Sequence, residues 1–217
     1  MRKLSLAVLL LFLPAAGPLF AQGMPDGDPR YRSLRRELLR MEEEDQRHRT
    51  ELYELMKKLA EPGGQRLMNE YMAFVKKQDA LDEKNRRKLD RIVARYGWPT
   101  ISMVGKEAST SAFLIAQHGD LAYRKKYFPL LKAAVAKGEA RPDSAAMMED
   151  GILMKEGKKQ IYGTALQTDD VTKGLQLWPI ENEEEVDARR ASVGLPPMAE
   201  FFKVIGMTYT PPKKNKD

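Results

Sequence analysis

From Tyr31 to Tyr96 apolar residues recur at steps of three and four, with one interruption at Pro62-Gly63-Gly64, and no other feature restricts the fold of this chain as much. On the first segment Tyr31, Leu34, Leu38 and Met41, then Leu52, Leu55 and Leu59, share one helical face. The second runs from about Gln65 to Tyr96 with Tyr71, Val75, Leu89, Ile92 and Tyr96 on its seam, and Gly97 supplies a C-terminal stop. Two long amphipathic helices joined by a glycine turn fold back as an antiparallel hairpin, in which facing residues have numbers summing to about 126.

Both stripes turn polar in the middle. The period places Asp45 and His48 on the first seam, and Gln78, Asp82 and Asn85 on the second. In the hairpin register Asp45 faces roughly residue 81 and His48 roughly residue 78, so the two interruptions meet at one level. Each polar residue in place of a leucine forgoes about 2 kcal/mol of burial, against the ~5–15 kcal/mol that holds a domain together. Three readings are open. The positions are exposed because the bundle ends or a helix bends there; or they form a buried polar layer that fixes register; or they belong to a site completed by residues from elsewhere.

Trp98-Pro99 reads as a turn. A shorter helix follows, with Val104, Ala108, Ala112 and Ile115 on one face, and ends in the polar corner Gln117-His118-Gly119-Asp120. Gly119 permits the chain to turn there, and Asp120 can cap the next helix, whose apolar face is Phe128, Leu131, Ala134 and Val135. Another helix starts near Pro142-Asp143-Ser144 and uses Ala145, Met148, Ile152 and Leu153. The period then changes to that of a β-hairpin, Lys159 to Gln167 and Leu175 to Ile180 around a polar loop, with a bulge or close backbone approach expected at Gly163. Asn182 can cap a short helix through Arg190, Gly194 ends it, and a last helix lies near Met198 to Val204. The fold class is therefore mainly α, a long helical hairpin packed on shorter helices, with a small β-hairpin near the C-terminus (α+β).

The N-terminus is positive at Arg2-Lys3, apolar from Leu4 to Leu13, and rich in small residues up to Ala21. That pattern is a secretory signal peptide over 1–21, too short for a bilayer and broken by Pro14, Gly17 and Pro18. A linker follows over 22–29, a single domain over 30–206, and a disordered basic tail over 207–217. The expected localisation is exported, periplasmic or extracellular, with no stable membrane insertion after cleavage. The absence of cysteine excludes disulfides, thiol catalysis and thiolate metal sites. Arg2 and Lys3 account for two of the formal +6, leaving +4 on the mature chain, and acidic residues alternate with the basic ones as on solvated helix faces. No nucleic-acid partner is expected.

Tyr96-Gly97-Trp98-Pro99-Thr100, Gln117-His118-Gly119-Asp120, Gly157-Lys158-Lys159-Gln160-Ile161-Tyr162-Gly163-Thr164, and Val186-Asp187-Ala188-Arg189-Arg190 with Gly194-Leu195-Pro196-Pro197 together resemble a bacterial family of unknown function, over about Met41 to Phe202. The family pattern also has Asp-Gln-x-x-Arg, matched by Asp45, Gln46 and Arg49, and Asp-x-x-Asn, matched by Asp82 and Asn85. The resemblance supplies positions and no reaction. One departure stands out: the family's Tyr-Gly-Thr-Gln reads Tyr162-Gly163-Thr164-Ala165 here, and Gln167 points to the same face of a strand as the missing amide.

An imidazole beside carboxylates is suited to general acid and base work. In that reading His118 is the base, Asp45 or Asp82 orients it, and Arg49, Gln117 and Gln160 hold an anionic or carbonyl group; Gln46, Asn85, Trp98, Tyr162 and Thr164 complete the substrate-binding set. Trp98, Tyr162 and Trp178 suit a pocket for a small molecule, or ordinary core anchoring. No cofactor is expected. A divalent metal has weak candidates in Asp45, Asp82, His118 and Asp120, a hard oxygen-rich set with one nitrogen. No Gly-x-Ser-x-Gly elbow and no phosphate loop or dinucleotide fingerprint occurs. Two functions follow: a buried polar small-molecule site, with hydrolysis as one reaction it suits, or a non-catalytic periplasmic module for binding a ligand or another protein.

Overall fold

The computed structural model describes residues 27–167 and 175–211. The expected signal peptide, most of the expected linker, the loop of the expected hairpin and residues 212–217 of the expected tail lie outside them. Among the described residues no helix is long and apolar enough to cross a membrane.

The two stripes form α1, Arg32–Ala60, and α2, Met68–Tyr96, joined through a short 3-10 turn at Gly64–Leu67. At the closed end of this hairpin Leu55, Met56 and Leu59 pack on Tyr71. At the open end Leu34, Leu38 and Met41 join Leu89 and Ile92 in the main core. α3, Ile101–Gln117, lies chiefly against α1 and is entirely buried from Ser111 to Gln117. Its small residues Ala108 and Ala112 permit that close approach, and its first turn is separated from the rest by a break at Gly105. α4, Leu121–Ala136, and α5, Pro142–Lys155, pair with each other. Asp120 caps α4 as expected, accepting from the Tyr123 N–H at 2.8 Å, and Pro142 occupies the first turn of α5.

The β-hairpin is much shorter than its sequence pattern. β1, Leu166–Gln167, pairs with β2, Gln176–Leu177, and Gln160 bridges to Ile180. The residues between are drawn off the ladder by the buried Asp150 of α5, whose carboxylate accepts from the N–H groups of Ile161, Tyr162 and Thr164 and from the Thr164 hydroxyl. Gly163 adopts φ +69°, and a Cβ there would come within 2.7 Å of Met198 Sδ. The expected close approach is thus to the last helix. Asn182 is left-handed, φ 42°, and makes no side-chain cap; a 3-10 turn over Glu183–Glu185 leads instead into α6, Val186–Ser192. α7 spans Met198–Val204 as predicted. Arg190, fully buried, ties this end together by donating to the carbonyls of Pro196 at 2.6 Å and Tyr162 at 2.7 Å.

Candidate functional site

On α1 the buried stripe steps from Met41 to Asp45 to Arg49, four residues at a time. The second seam position is therefore Arg49; His48 is half-buried and turned to Phe74, ring centroids 5.9 Å apart. At about 100° per residue, His48 and Arg49 fall roughly 20° behind and roughly 80° ahead of Met41, on opposite flanks of a stripe centred near Asp45, so the period alone does not choose between them. Electrostatics favours the same choice, because a buried Asp45 needs a cation and Arg49 provides one on the next turn.

Arg49 joins both helices. Its Nε lies 3.1 and 3.2 Å from the Asp45 oxygens and its terminal nitrogen donates to Asp82 at 2.6 Å. From α2, the Gln78 amide donates to Asp45 at 3.2 Å and to Asp82 at 2.8 Å, while Gln46 donates to Asp45 at 3.3 Å. Asn85, one turn beyond Asp82, is buried with neither end of its amide hydrogen-bonded. The polar layer anticipated from the seams is real, and it is closed on itself by charge.

α3 brings His118 to this layer. Its side chain is 6% exposed, and Nδ1 lies 2.9 Å from Asp45 Oδ2 and 3.0 Å from Arg49 Nε. Nδ1 cannot both donate to Asp45 and accept from Arg49. Burial raises the Asp45 carboxyl, but the charge and hydrogen bonds of His118 and Arg49 outweigh it and hold the group well below the usual carboxylate range. An unprotonated Nδ1 facing that carboxylate would set lone pair against lone pair, whereas Arg49 Nε already has carboxylate oxygens to donate to. Nδ1 therefore carries the proton and Nε2 the lone pair. Burial, then the Arg49 cation, push the imidazole pKa down against the opposing pull of Asp45, so the ring is neutral near pH 7. Nε2 is buried and has no hydrogen-bond partner.

Gln117 sits beside it, donating to the Met147 carbonyl at 3.1 Å and leaving Oε1 buried and unpaired. Asp120 faces away to cap α4, is exposed, and makes no bond to the cluster. Among the described residues no three His, Cys, Asp or Glu side chains are grouped to hold a metal ion; Arg49 fills the space between Asp45 and Asp82.

The other predicted residues gather elsewhere. Gln160 is fully buried, with its amide bonded to the Ala165 backbone and to the Trp178 carbonyl. Thr164 is held by Asp150, and the Tyr162 N–H by the same carboxylate. Among the described residues no hydrogen bond links Gln160, Tyr162, Thr164 or Gln167 to His118 or Asp45. Trp98 lies in the main core, 6.0 Å from the Tyr127 ring, with its indole N–H unpaired. Trp178 donates to the Lys158 carbonyl at 2.6 Å.

Three residues here have no counterpart in the sequence reading. Asp150 anchors the 160–164 segment, Gly151 follows it in the middle of α5, and Arg124 of α4 is buried. The signals were present: Arg124 continues the apolar stripe of Phe128 and Leu131 four residues upstream, and a glycine inside a helix costs about 1 kcal/mol unless something needs the space.

The fold and site define a mainly helical protein with a buried Asp–Arg–His cluster at the crossing of a helical hairpin and a third helix. The chain belongs to the family of unknown function DUF6624, whose profile matches residues 32–214. No curated protein and no solved structure matches it.

Proposed function

We propose that the Asp45–Arg49–Asp82–His118 cluster is a small-molecule site in which His118 Nε2 acts as a general base, with hydrolysis as the reaction it suits best. The observation that carries this reading is the unpartnered Nε2 of a buried, neutral imidazole whose Nδ1 faces a carboxylate. An unmet buried polar atom costs about 1–3 kcal/mol; His48 Nδ1 is unpartnered too, and what distinguishes His118 is the carboxylate held against its other nitrogen. In the proposed reaction Asp45 fixes the tautomer and steadies the imidazolium formed when Nε2 takes a proton from water or a substrate hydroxyl. Arg49 keeps Asp45 ionised. The test is a panel of chromogenic esters, amides and phosphate esters: turnover by the wild type should fall about 100- to 10,000-fold in His118→Gln with the melting temperature kept, and equal turnover by both proteins would contradict the role.

A second reading, a non-catalytic ligand-binding module, is favoured by Asn85 and by Gln78 Oε1, which are buried and lack partners without offering any acid or base. Saturable ligand binding without turnover, undiminished in His118→Gln, would select it. The pattern from Met1 to Ala21 supports export; a secreted product beginning at Gln22 would establish it.

A further inference from the structure

Arg124 is 6% exposed, yet among the described residues no carboxylate forms an ion pair with it. Its Nε donates to the Gly119 carbonyl at 3.1 Å, and among the described residues its two amino nitrogens have no hydrogen-bonding or ionic partner. Asp45 and Asp82 pair with Arg49, and Asp120, which caps the start of α4, acts on Arg124 through its charge without an ion pair. A guanidinium on a side chain this far buried, with only a carbonyl to bind and no ion pair, keeps donors ready for an anion from outside the chain. Gly151 strengthens the case. A Cβ there would stand 2.5 Å from one Arg124 amino nitrogen and 2.9 Å from Gln117 Nε2, so the helix glycine makes room for both side chains at one spot. At the same spot lies the buried, unpaired Gln117 Oε1, 3.5 Å from that Cβ position, and the next residue in the chain is His118, whose Nε2 is also buried and unpaired. Burial, with the like charge of Arg49, pushes the Arg124 pKa down to about 10, which still leaves it cationic at neutral pH.

We propose that Arg124 receives an oxyanion, a carboxylate or a phosphate, carried by the compound on which His118 acts. The planar fork of a guanidinium suits both anions. This assignment of substrate class rests on the reading of His118 as the base, but the anion site is measurable without it. The experiment is NMR of the Gln117 side-chain amide in every variant, and also of the Arg124 Nε–H in the wild type and His118→Gln, during titration with inorganic phosphate and, separately, with acetate. A saturable shift is expected in the wild type and in His118→Gln, weakened about tenfold or more in Arg124→Gln and partly retained in Arg124→Lys; saturation by one anion only identifies the class. No saturable shift with either anion in the wild type, or the same affinity in Arg124→Gln, overturns the proposal. The wild-type titration decides even if the glutamine variant fails to fold. Binding that survives in a protein whose His118→Gln variant keeps full turnover would leave Arg124 standing and remove His118.

Discussion

Asp45 Oδ2 and His118 Nδ1 lie 2.9 Å apart, which joins the middle of α1 to the end of α3. The contact has a stability side and a chemical side. Asp45→Asn removes the buried charge that balances Arg49 and that orients the ring, so a loss of about 3–5 kcal/mol is expected on urea denaturation, together with loss of any His118-dependent turnover. A variant as stable as the wild type would show that the pair is not held by charge.

The pH dependence of stability has a defined direction. His118 titrates below the ordinary 6.5 in the fold, so the unfolded chain takes up the proton first as pH falls. The stabilisation is whole above pH 6.5 and is lost as pH falls from there through the depressed folded pKa. Asp45, also depressed, adds a second loss beginning near its ordinary 3.8. Melting temperatures should decline on acidification from pH 7, and His118→Gln should flatten the first part of the decline and reduce the second, leaving the share that Arg49 sustains.

The hairpin of helices was legible because a stripe repeated over two long segments admits few alternatives, and the glycine turn between them fixes its register. Asp45, Gln78, Asp82 and Asn85 were legible for the same reason, as polar residues where the period demands apolar ones. His48 against Arg49 was not, because the two residues flank the stripe on either side of Asp45 at similar angles, and the choice is made by the buried carboxylate's need for a cation. The strands 159–167 and 175–180 misled because alternation describes side chains, whereas the backbone N–H groups of Ile161, Tyr162 and Thr164 are taken by Asp150, a residue from another element. The same limit applies to Gln160: its motif was visible, and the backbone groups that occupy its amide were not.

Asp150→Ala tests that anchor. Three backbone donors and a hydroxyl lose their acceptor, and each buried orphan costs about 1–3 kcal/mol. Hydrogen exchange should show protection lost first at Ile161, Tyr162 and Thr164 while the amides of α1 and α2 stay protected; uniform loss throughout would mean that the segment is held by something else.

Gly151→Ala should displace Arg124 and Gln117 together, at about 1–3 kcal/mol of stability as for other overpacked positions. Elsewhere in an exposed helix the same change would stabilise. Urea denaturation gives the sign: a stabilised Gly151→Ala protein would mean that the space over α5 is not needed.

The central claim is that His118 presents a free, basic Nε2, and heteronuclear NMR of its two ring nitrogens at pH 7 measures this directly. A neutral ring protonated on Nδ1, with an apparent pKa below 6.5 that rises when Arg49 is replaced by methionine, is the predicted result. A ring protonated on Nε2, or one carrying both protons at pH 7, would contradict it.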